Sequence, residues 1–188
     1  MPWLWILVGV LVLLAVGAAY GYNRLVRLRN EVDTGWANID VQLQRRADLI
    51  PNLVEAVRAY ATHERGVFDE VTRARAALQQ ASTPGSAADA NEGLTAAIGR
   101  LFAVAEAYPE LQASENFLEL QNDLTDTEDK ISAARRYYNA TVMRSNTAVQ
   151  SIPWLLLAKP FGFREREFFS AQGDTSVPQV SFPGSATA

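Results

Sequence analysis

The chain has 188 residues, a net charge of −4, 48% hydrophobic residues, one His and no Cys. Without cysteine there is no disulfide, thiol nucleophile or Cys-bound zinc, and a single imidazole rules out a multi-His metal site within one chain. Arg24, Arg27 and Arg29 are the only charges before residue 31, so the rest of the chain carries −7, a balance unsuited to nucleic acid, whose phosphates need clustered Lys and Arg.

Pro2 to Tyr22 holds no charge and no amide, and its only hydroxyls are the two tyrosines at its end. About 20 residues at ~1.5 Å each reach roughly 30 Å, the thickness of a bilayer's hydrocarbon core. Its Leu, Ile and Val residues together favour insertion by about 3–6 kcal/mol. Trp3, Trp5, Tyr20 and Tyr22 stand at the two ends, where amphipathic rings prefer the headgroup layer. Gly17-Ala18-Ala19 resembles a cleavage site, but a basic leader is missing and the apolar run is longer than a signal core. The expectation is a retained single-pass anchor over residues 1–23. Gly17 and Gly21 form a Gly-x-x-x-Gly pair that suits close approach of a second span, a frequent and weak motif. Arg24, Arg27 and Arg29 place the N-terminus outside and the remaining chain in the cytoplasm, by the preference of Lys and Arg for that side.

Apolar residues then recur at seven-residue steps through Trp36, Leu43, Ile50 and Val57, and again at Val71 and Leu78. This predicts one long amphipathic helix over about 24–80, kinked at Pro51, whose ring removes a donor and crowds the carbonyl of Ala47. Ser82-Thr83-Pro84-Gly85-Ser86 predicts a turn. Further helices are predicted over about 88–108, ended by Pro109, and 114–151, started by Ser114 and carrying Phe117, Leu124, Ile131 and Tyr138. The fold expected is all-α: one transmembrane helix followed by an antiparallel bundle of long helices over 24–151. The second helix covers less than half of the first, which leaves the seam around Trp36 and Leu43 without an obvious cover. Bending at Pro51, continuity through Pro109 or self-association would each supply one, and a homo-oligomer is favoured.

From 152 to 169 the chain turns apolar and aromatic. The run around Trp154, Leu155, Phe161 and Phe163 is too short to span a bilayer. It is expected to close the bundle, with an interfacial position as the alternative. Disorder is expected over 170–188, where Gly, Ser, Pro, Thr and Ala dominate.

Candidates for chemistry are few. Glu64 falls on the apolar seam beside His63, and a buried carboxylate there calls for a cationic partner, for which Arg135 is suitable. Neighbouring helix residues diverge by about 100°, so His63 and Glu64 form no dyad, and no second His completes a zinc site. The amides Asn38, Asn52, Gln121, Asn122, Asn139 and Asn146 are read as register-setting polar positions, with a polar binding strip as the alternative. Neither a cofactor nor an enzymatic reaction is expected.

Several stretches resemble the LemA family of bacterial membrane proteins: Arg45-Arg46-Ala47-Asp48-Leu49-Ile50-Pro51-Asn52-Leu53-Val54, His63-Glu64, Ser114-Glu115-Asn116-Phe117, Tyr138-Asn139, Phe161-Gly162-Phe163 and Phe168-Phe169. Ser145-Asn146 departs from the Tyr-Asn that is frequent in the family. The resemblance implies an anchored helical bundle in the bacterial envelope and supplies no catalytic residue; one relative acts in building magnetosome membranes. The functional expectation is a scaffold in the inner membrane that contacts lipid, further copies and other envelope proteins. A ligand- or lipid-binding bundle lined by the amides and Glu64 is the alternative.

Overall fold

The computed structural model describes residues 2–170. It comprises α1 (Pro2–Arg58), α2 (Arg65–Gln80), α3 (Pro84–Ala105), α4 (Pro109–Gln112), α5 (Glu115–Gln150) and α6 (Trp154–Ala158). There is no strand among the described residues. The expected all-α architecture is present, with an apolar N-terminal helix long enough to cross a membrane. The tail beyond 170, expected to be disordered, lies outside the described residues.

α1 is one unbroken helix from the anchor to Arg58. Its buried positions Val32, Gly35, Ile39, Leu43, Arg46, Ile50, Leu53 and Val57 recur at steps of three or four, the stripe that faces a partner helix. The partner is α5, which runs antiparallel and buries Phe117, Leu120, Leu124, Ile131, Tyr138 and Val142. The two backbones approach closely at Gly35, where a Cβ would stand 3.3 Å from Tyr138 Cα.

Pro51, where a kink is expected, lies inside α1. α1 passes through it without ending, and Pro51 and Asn52 both sit on the exposed face. The carbonyl left without a donor by the missing N–H, that of Ala47, instead accepts 2.8 Å from Arg75 Nε on α2. Removing the guanidinium should leave a buried acceptor unpaired, so Arg75→Ala should cost about 1–2 kcal/mol by denaturant titration. In a Pro51→Ala background the restored N–H reclaims the carbonyl, and the cost should drop below about 0.5 kcal/mol. Equal costs in both backgrounds would refute this pairing.

The helix expected to continue to Gln80 instead stops at Arg58, turns through residues 59–64 and returns as α2. No Pro or Gly stands in that turn. The reversal is driven by burial: Phe68, Val71 and Leu78 pack inward, a gain of about 1.5–3 kcal/mol each. A straight rod would leave them in water. α3 starts at Pro84, four residues before the expected start, because Thr83 and Ser86 form a reciprocal cap with Pro84 at the first helical position. Arg100 of α3 pairs with Glu70 of α2.

The far end of the molecule is thus a four-helix bundle of α1, α2, α3 and α5. Nearer the anchor α1 and α5 remain, and after a turn at 159–162 the chain from 163 to 170 returns along them as an extended strap. The seam of α1 is covered within the chain, with Leu43 and Ile50 buried and Trp36 packed on Tyr138 and Phe169. The length mismatch that favoured self-association is resolved by fold-back and strap.

Candidate functional site

Three polar or aromatic assemblies join the elements. The first crosses the four-helix end. Arg46 occupies a core position of α1, with only 5% of its side chain exposed. Its guanidinium donates to Asn91 Oδ1 of α3 at 2.6 Å and lies 2.6 Å from a Glu128 carboxylate oxygen of α5. Burial lowers the Arg46 pKa, and the Glu128 carboxylate opposes that shift. Arg45 reaches Asp123 and Asp126 on the outer edge.

The second assembly holds the strap. Asn139 donates to the carbonyl of Phe169 at 3.1 Å and accepts from its N–H at 2.9 Å. Asn146 does the same for Arg166, at 2.9 and 2.8 Å. The spacing fits because seven helical residues rise about 10.5 Å and three extended residues cover about 10 Å. Each primary amide thus replaces one rung of a sheet ladder. The Tyr138 hydroxyl donates to the Glu167 carbonyl at 2.7 Å, and Arg166 bonds Asp33 of α1 at 2.6 Å. Phe169, 3% exposed, plugs the space beside Trp36 and Tyr138.

The third assembly lies where the anchor ends. Trp154 of α6 stands 6.1 Å from Tyr20, and Phe161 and Phe163 stand 5.1 and 5.9 Å from Tyr22. The Arg24 guanidinium lies 5.9 Å over the Trp154 ring. Leu25, Ala148, Val149 and Ala158 form a small core beneath. An open cleft of about 570 Å³ runs past Arg24, Leu28, Arg144 and Trp154.

These positions correct several expectations. Glu64 is exposed at the start of α2 and Arg135 is exposed on α5; no ion pair joins them among the described residues. The seam that placed Glu64 inside was extrapolated across the turn at 59–64, where the helical register is lost. Asn38, Asn52 and Asn122 lie on the outer surface and line no core strip. Of the predicted polar residues, Asn139 is brought into a joint, together with Asn146. Gly17 is open, whereas Gly21 is buried within the chain, between the contacts that Tyr20 and Leu25 make with the α6 region. The pair therefore offers no common free face. Trp154 and Leu155 are half-buried, Phe163 is half-buried, and Phe161 is exposed.

Sequence reading passed over the Arg46–Glu128–Asn91 tie. Its signal was the three-or-four spacing itself, which lands on Arg46 between Leu43 and Ile50.

Comparison with known proteins agrees with this architecture. The model of the LemA family matches residues 35–182. Magnetosome protein MamQ of Magnetospirillum gryphiswaldense is 28% identical, the match covering 85% of this chain and 70% of the relative. Magnetosome protein MamQ 2 of Paramagnetospirillum magneticum is 29% identical over the same shares. Protein LemA of Metamycoplasma hominis is 24% identical, covering 68% of this chain and 58% of that one. With a family model spanning most of the chain, from α1 through the strap, this membrane-associated helical protein belongs to the LemA family.

Proposed function

We propose that the protein is a membrane-anchored scaffold: a rigid post that holds its four-helix end at a set distance from the bilayer and there gathers other envelope proteins. The observation that carries this reading is the continuity of α1, 57 residues without a break, or about 85 Å. Anchor and bundle share one helix, so no flexible linker separates them. The ties at Arg46 and along the strap make the post stiff. The relatives' name, magnetosome protein, is compatible with a part in membrane organisation. No step of this role requires a reaction.

The bundle is proposed to face the cytoplasm from the bacterial inner membrane. Besides Arg24, Arg27 and Arg29, the fold brings Lys159 and Arg164 close to the end of the anchor, which adds to the positive charge on that side. Self-association is assigned to the span around Gly17.

The chain has no cysteine, so Tyr60→Cys, in the exposed turn at the far end, provides a unique handle. In native membranes this thiol should react with a membrane-permeant maleimide and resist an impermeant one. A photo-cross-linker attached there should capture companion proteins. A clean monomer with nothing attached would overturn the scaffold, and impermeant labelling would reverse the orientation.

A further inference from the structure

The end of the anchor carries apolar surface that packing within the chain does not explain. Ile152 is 82% exposed, Leu156 73% and Phe161 57%. All three lie on the short loop and helix that wrap the end of the anchor beside Tyr20 and Tyr22. The depth of this collar follows from helix rise: Pro2 to Tyr20 spans about 27 Å along α1, close to one hydrocarbon thickness. The collar is therefore fixed at headgroup level, where Trp and Tyr rings favour the boundary between acyl chain and water.

Its charge points the same way. Arg24, Arg27, Lys159 and Arg164 are exposed and make no ion pair among the described residues, and the Arg24 guanidinium lies over the Trp154 ring. Opposing them nearby is Glu165, since Glu31 is taken by Arg144 and Asp33 by Arg29 and Arg166. Clustered cations beside a membrane span attract anionic lipid.

We propose that residues 152–164 form an interfacial foot. Ile152, Leu156 and Phe161 enter the acyl boundary of the bilayer, while Arg24, Arg27, Lys159 and Arg164 bind the phosphates of anionic headgroups. The foot gives the post a second point of attachment about 130 residues along the chain from the first. It rests on α1 being the membrane anchor, and the experiment separates the two.

Single-cysteine variants Leu156→Cys and Phe161→Cys are made in the full chain, with Leu13→Cys inside the span and Val41→Cys, exposed on mid-α1, as references. Each is spin-labelled and reconstituted into vesicles of phosphatidylcholine, or of phosphatidylcholine with phosphatidylglycerol. Accessibility to oxygen, which partitions into lipid, is compared with accessibility to a water-soluble nickel complex. The ratio at 156 and 161 should exceed that at 41 several-fold, fall short of that at 13, and rise further with phosphatidylglycerol. Charge reversal by Lys159→Glu with Arg164→Glu should abolish that further rise. Aqueous values at 156 and 161 with a lipid value at 13 would overturn the foot and leave the anchor standing. An aqueous value at 13 would overturn the anchor, and the foot with it. Spin–spin broadening at 156 would place a second copy over the collar and overturn the assignment to lipid. Equal ratios in both vesicle types would overturn the anionic-headgroup assignment.

Discussion

Phe169→Ala should destabilise the protein by about 3–5 kcal/mol, the range for truncating a buried aromatic to alanine, although the residue belongs to an extended strap and to no helix. Its ring fills the gap left where α2 and α3 no longer flank α1 and α5, against Trp36, whose ring also meets Tyr138. Denaturant unfolding of the detergent-solubilised chain, followed by helical circular dichroism and by tryptophan emission, should register the loss. Phe168→Ala, one residue away and 40% exposed, should change stability by less than about 1 kcal/mol. Similar costs for the two would mean that the strap is not docked as described. The same strap should loosen in alkali. Burial, partly offset by Arg166, raises the Tyr138 pKa above its ordinary value of 10.0. The folded protein therefore retains a proton that the unfolded chain gives up first. The stability this provides is complete below pH 10 and is lost as pH climbs from there through the raised folded value. Tyr138→Phe should flatten that alkaline loss while forfeiting about 1 kcal/mol with the hydrogen bond to Glu167.

Glu128→Ala should be comparably harmful, at about 3 kcal/mol, because it strands the Arg46 guanidinium without its counter-charge. Glu128 keeps 44% of its side chain exposed, which sets the loss at the lower end for a broken buried pair, since water reaches the vacated space. Arg46→Met combined with Glu128→Leu should recover most of the stability, as an apolar pair needs no compensation there. Glu64→Gln and Arg135→Ala should each fall within about 0.5 kcal/mol of the parent, as solvated side chains do. Melting curves of these variants distinguish a tie at Arg46 from one at Glu64 directly.

That contrast shows what the chain makes readable and what it hides. The anchor is a continuous apolar run and the seams of α1 and α5 are periodic, so a local pattern carries them. The limits of α5 were readable too, from Ser114 at one end and the change to an apolar, Pro-containing run after Ser151 at the other. The reversal at 59–64 has no Pro or Gly to mark it, and it exists because residues far along the chain offer α2 a surface to bury against. Pro51 carries a strong local signal, but the side chain that meets the carbonyl it leaves open, Arg75, comes from a distant part of the chain. The strap is the least legible element. Its match to α5 equates a seven-residue helical interval with a three-residue extended one, a correspondence visible only when both segments are in place. Asn139 and Asn146 could be picked out as amides, but their mates at Phe169 and Arg166 lie in sequence with no periodicity.

With its apolar start set in a bilayer, as proposed, the unbroken α1 also makes the molecule a lever. From Tyr20 to Arg58 the helix extends about 57 Å. Spans tilt to fit the hydrocarbon thickness around them, by some 20° on average. A further tilt of about 10°, as a thinner bilayer imposes, swings the distal bundle sideways by roughly 10 Å. Local thickness would thereby be converted into lateral displacement of the four-helix end.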